Sequence, residues 1–185
     1  MKNYVNSDYM TGVTMLELIT ALLVIASLYF LAMPHFNQFL MRQDREITLD
    51  RLTTAIQYAK SEAIKQGKTI TLCGSHNQRS CHKNAWTSGF ILYTDPKEQK
   101  EEIVFNLEGL YIFAGPQYGT LKFKAFSGDN QTLHLRPNGR TINNGTFIYC
   151  PKNKDPAEAK ALIINQSGRV YRSTKNSDEE PLTCD

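Results

Sequence analysis

Hydrophobic and polar positions change their pattern twice along the chain. Residues 13–33 read VTMLELITALLVIASLYFLAM, with 17 apolar positions in 21 and Glu17 as the one charge. At ~1.5 Å per residue the run covers a hydrocarbon core of about 30 Å, which predicts a membrane-spanning helix. Further on, Leu49, Leu52, Ile56, Ala59 and Ala63 recur at helical spacing, while Arg51, Gln57, Lys60, Glu62 and Lys65 fall largely off that stripe. That spacing predicts an amphipathic helix with one face on a core. Proline removes a helical hydrogen bond, so Pro34 is expected to kink one helix running from about Thr14 to Gln66, about 80 Å long, with Gly67 as its C-cap. Beyond Gly67 the period shortens to β-rich runs at 69–73, 89–94, 102–105, 121–126, 132–135, 146–150 and 161–165, punctuated by Gly, Asn and Pro. These predict antiparallel sheets, with 165–168 turning the chain into 169–172. The expected fold is α+β and lollipop-shaped: a transmembrane segment at 13–33, its amphipathic continuation at 34–67 and a β-rich head at 68–185.

Composition adds little until charge is mapped. The 185 residues carry a formal charge of only +3, and the part outside the apolar rod is enough for one core. Between residues 120 and 175, however, ten basic residues face only Asp129, Asp155 and Glu158, a local +7. No nucleophile elbow, zinc-protease helix, phosphate loop or histidine beside paired carboxylates is present, and His35 and His134 stand isolated. Neither an enzyme nor a cofactor is expected.

Cys73, Cys81, Cys150 and Cys184 form an even set in a domain the topology places outside the cytoplasm, so disulfides are the first reading. Three connectivities are open, of which the sequence-local one, 73 with 81 and 150 with 184, is favoured. Zinc on Cys73, His76, Cys81 and His82 is disfavoured, because the spacing matches no standard finger and adjacent residues 81 and 82 point apart.

Gly12 directly precedes the rod, and cleavage after it would set a new amine at Val13, one helical turn from Glu17. The run Gly12-Val13-Thr14-Met15-Leu16-Glu17-Leu18 resembles the prepilin motif of type IV pilins and type II secretion pseudopilins. That resemblance implies a leader at 1–12, cleavage by a prepilin peptidase, methylation of Val13 and a role for Glu17 in filament assembly. It also implies single-pass residence in a bacterial inner membrane, a periplasmic head and partnership with other major and minor pilins or pseudopilins. Residues 59–65, then Cys73, Trp86, Gly89-Phe90, Asp95, Arg136-Pro137-Asn138-Gly139-Arg140 and Gly168-Arg169 are similar to the FimT, FimU and GspH group.

Membership in that group implies two binding roles. One is capture of DNA during natural transformation, for which Arg136, Arg140, Lys152, Lys154, Arg169, Tyr171, Arg172 and Lys175 are the candidates, cations for phosphates and a tyrosine for bases. The other is action on secreted proteins from a pseudopilus. The group's Gly-Arg-x-Arg signature reads Gly168-Arg169-Val170-Tyr171-Arg172 here, and on a strand the extra residue sends the two arginines to opposite faces unless a bulge intervenes.

Overall fold

A computed structural model describes residues 12–94, 111–126 and 132–184. The leader, apart from Gly12, lies outside the described residues, as do the strand expected at 102–105 and Asp95 and Asp129. The chain divides into two compact units, Met1–Phe39 and Leu40–Asp185.

Helix α1 covers Met15–Gln66 and therefore contributes to both units. In the first unit its apolar side chains have no core to enter: Leu16, Leu23 and Phe30 are exposed. No single described helix is long and apolar enough to cross a membrane, but the bent pair Met15–Leu31 and Phe36–Gln66 passes that test together. Pro34 lies in the break between them. At the far end α1 stops at Gln66, and Gly67 takes the left-handed conformation, φ +64°, which a residue without Cβ adopts freely.

The second unit packs the later part of α1 on two antiparallel four-stranded sheets. Strands β1 (Ile70–Gly74), β2 (Gly89–Thr94), β3 (Tyr111–Ala114) and β5 (Thr132–Leu135) make the first, in the order β3-β2-β1-β5. Strands β4 (Gly119–Ala125), β6 (Gly145–Pro151), β7 (Lys160–Ile164) and β8 (Val170–Ser173) make the second, in the order β4-β6-β7-β8. The expected stripe of Leu49, Leu52, Ile56, Ala59 and Ala63 is fully buried against both. Strand β3 was not among the expected runs, since Tyr-Ile-Phe-Ala shows no apolar–polar alternation and is largely exposed.

Trp86, in a 3-10 turn at Ala85–Thr87, ties the sheets together. Its ring meets Phe90 of the first sheet and Phe123 and Phe147 of the second, with centroids 6.0, 5.7 and 4.8 Å away, spacings at which aromatic pairs attract beyond simple burial. Beside it, Thr87 Oγ1 both accepts from the Leu121 N–H and donates to the Leu121 carbonyl, closing part of the free edge of β4.

Disulfides join Cys73 to Cys81 and Cys150 to Cys184, each with Cα atoms 5.6 Å apart. The thiols that a zinc site would need are thus bonded to each other. The second bridge holds the C-terminal tail on the outer face of the second sheet, where Leu182 packs with Ala161 and Ile163. Before that bridge the tail makes a turn, exposed at Asp178, Glu179 and Glu180, in which the Asn176 N–H donates to the Glu180 carbonyl at 2.9 Å.

Candidate ligand-binding surface

Two turns of the same construction meet at one end of the second sheet. In residues 136–140 the Arg136 N–H donates to the Arg140 carbonyl and the Gly139 N–H to the Arg136 carbonyl, both at 2.9 Å. In residues 165–169 the Asn165 N–H donates to the Arg169 carbonyl at 3.1 Å and the Gly168 N–H to the Asn165 carbonyl at 2.9 Å. Each needs its glycine: φ is +73° at Gly139 and +71° at Gly168, a region costly for other residues. Side chains rigidify both, since Asn138 Oδ1 accepts from the Arg140 N–H and Asn165 Oδ1 from the N–H groups of Ser167 and Arg169.

These turns are locked to each other. The Thr141 N–H donates to the Gln166 carbonyl at 3.0 Å, and the Thr141 hydroxyl to the Asn165 carbonyl at 3.1 Å. From α1, Lys60 Nζ donates to the Ser167 carbonyl at 3.0 Å. A Cβ added at Gly168 would stand 2.6 Å from the Gly139 carbonyl oxygen, so the backbones touch. Arg140 and Arg169, each following the left-handed glycine of its turn, are therefore neighbouring exposed cations on a stiff platform, with exposed Arg136 opening the first turn.

The remaining sequence candidates separate from that platform. Lys152 and Lys154 leave the opposite end of β6, a strand of seven residues, which puts about 20 Å between the two ends at ~3.4 Å per residue. Lys175 follows the far end of β8. Tyr171 pairs with Ile163, whose side chain packs on the outer face with Leu182, and is 47% exposed. Arg172 pairs with Leu162, whose side chain belongs to the core shared with α1. Its two terminal nitrogens bind Glu46 at 2.7 Å and Asp50 at 2.6 Å on α1, so its charge is already balanced.

A second ionic group fastens α1 where it enters the head. Glu158 receives Arg45 at 2.6 Å and Arg42 at 3.0 Å. The hydrogen bond from Arg45 holds the Glu158 carboxyl below the usual carboxylate range, against a desolvation effect of opposite sign. Asp44 accepts from the N–H groups of Gln117 and Tyr118 and from the Tyr149 hydroxyl. Burial, then that bond to Asp44, pushes the Tyr149 phenol upward. These contacts position the head and leave no reactive pair open.

At the start of α1, Gly12 and Val13 are exposed and precede the first helical residue. Thr14 Oγ1 accepts from the Glu17 N–H at 3.2 Å, capping the helix. Sequence reasoning missed Lys60 and Thr141 as parts of the platform. The repeated Gly-Arg of 139–140 and 168–169 was the available signal.

The model of the family described as type II transport protein GspH matches residues 48–168. The type IV minor pilin FimU of Pseudomonas aeruginosa shares the fold, with a TM-score of 0.55 and 23% identity over 79% of this chain and 98% of FimU. The minor pseudopilin EpsH of the Vibrio cholerae type 2 secretion system also shares it, with a TM-score of 0.50 and 14% identity over 69% of this chain and 94% of EpsH. Among curated proteins none matches.

Proposed function

Because the chain belongs to the GspH family of minor pilins and pseudopilins, which are structural rather than catalytic, we propose that it is a minor pilin that enters a type IV pilus and presents the twin turns to DNA. Cleavage after Gly12 releases Val13 as the N-terminus, α1 passes from the inner membrane into the filament, and Glu17 meets a neighbouring subunit's amine. A carboxylate in an apolar run is costly in lipid, and an amine from a second subunit offsets that cost.

The observation that carries the DNA reading is that Arg140 and Arg169, both exposed, stand on two interlocked turns. Phosphate contact needs cations in fixed array and no base readout. Arg172 takes no part, because a phosphate would have to displace two carboxylates from it. A gel-shift titration over a range of salt tests this. Arg140→Gln with Arg169→Gln should weaken binding and lower the salt slope by about 2, roughly one per lost phosphate contact, whereas Lys152→Gln leaves the slope nearly unchanged. Wild-type chain that fails to shift DNA at low salt would remove the DNA reading.

The likeness to EpsH supports a second reading, a pseudopilin of a secretion system. In that case deletion of the gene blocks release of secreted proteins and leaves DNA uptake intact.

A further inference from the structure

The segment after β1 carries two histidines that neither assembly nor DNA binding uses, His76 inside the loop closed by the Cys73–Cys81 bridge and His82 directly after it. His76 and His82 face each other with ring centroids 5.4 Å apart and planes inclined by 54°. An imidazole nitrogen sits ~2.1 Å from a bound metal, so two rings sharing one ion at a tetrahedral angle have centroids about 5 Å apart. The observed pair has that separation.

Each ring is already oriented. His76 Nδ1 lies 2.7 Å from Ser88 Oγ, which leaves Nε2 as its open nitrogen. His82 Nε2 makes only a long contact of 3.4 Å with Ser80 Oγ, and its Nδ1 is shielded from solvent without a partner. With Nδ1 shielded, Nε2, held only by that long contact, is the His82 nitrogen that a hydrated ion can reach. The Cys73–Cys81 bridge encloses His76 and ties the residue before His82 to Cys73, which is itself anchored in the buried face of the first sheet. Asn77 Oδ1 accepts from the N–H groups of Arg79 and Ser80, which fixes the turn between the two histidines.

We propose that His76 and His82 bind one divalent transition-metal ion, one nitrogen from each ring, with water completing the shell. Residues 75–88 contain no Asp or Glu, so the segment offers imidazole, hydroxyl and amide donors and no carboxylate. That donor set suits Cu2+, Ni2+ or Zn2+ and rejects Mg2+ and Ca2+, which require several oxygen anions or carbonyls. This is a different site from the cysteine-containing zinc centre that the sequence disfavours, because its ligands are compatible with the intact disulfide.

The test is titration of the detergent-solubilised full chain with Cu2+, Ni2+ and Mg2+, without thiol reductant, since freed thiols would bind metal themselves. One equivalent of Cu2+ should bind, more tightly than Ni2+, with two nitrogen donors in its electron paramagnetic resonance spectrum, and Mg2+ should not bind. His76→Ala and His82→Ala should each remove that equivalent. Ser88→Ala should weaken it about tenfold by freeing the His76 ring. His76 is exposed, so its variant keeps the wild-type circular dichroism and remains decisive if His82→Ala misfolds. Absence of a stoichiometric site, or binding unchanged in His76→Ala, overturns the proposal.

Discussion

The two portions of α1 are built from similar apolar residues and have opposite fates. In the first unit Leu22, Leu23 and Ile25 are 58%, 66% and 62% exposed, whereas Leu49, Leu52 and Ile56 in the second are 0% exposed. Composition does not account for the difference; placement of polar residues does. Residues 13–33 are apolar on nearly every side, which suits lipid or a ring of other helices, while the later stretch is apolar on one stripe and suits a sheet. Of the two apolar surfaces, the later stripe is covered by the sheets of its own unit, and the earlier one is exposed among the described residues.

A cavity should matter in one portion and not in the other. Leu52→Ala should cost the head about 2–5 kcal/mol in denaturant unfolding, and Leu22→Ala close to nothing, because only the first leaves a void among packed neighbours. Equal effects would show that the first unit also packs on the chain's own core. Next in size is the tail bridge. Cys150→Ser with Cys184→Ser should lower head stability by about 4 kcal/mol on loop-closure grounds, read as a drop in the thermal midpoint with the helicity of 15–39 unchanged. Smaller still is an effect of acid at the point where α1 meets the head. Glu158 has a folded-state pKa below its unfolded value of about 4.3. Its contribution is therefore present above that value and is lost as pH falls through the folded pKa. Glu158→Gln should flatten the pH dependence of stability below about pH 4.5 while changing the neutral-pH value only slightly, as befits a partly exposed ion pair.

Legibility followed the distance over which each feature is decided. The buried stripe on α1 and most strands were readable, because helical and strand periods are local. Tyr111–Ala114 was not, since its residues are largely exposed and show no apolar alternation, and their place depends on pairing with β2. Strand parity separated Arg169 from Arg172, and the latter does sit on the α1 side of β8. What parity could not supply was its partners, Glu46 and Asp50, more than a hundred residues away in the chain. The platform was half legible. Both Gly-Arg turns could be picked out, but their meeting rests on the Thr141 bonds to Asn165 and Gln166 and on the approach of Gly168 to Gly139, which only the folded sheet brings about.

On the proposed function, the exposed apolar face of the first unit is an interface for other subunits. A photo-crosslinking residue in place of Leu22, introduced in cells that assemble the filament, tests it directly. The account predicts crosslinks to other pilin-type subunits, strongly reduced when Glu17→Gln is added while membrane insertion is kept. Crosslinks confined to this chain's own head, or to lipid alone in cells with assembled filaments, would contradict it.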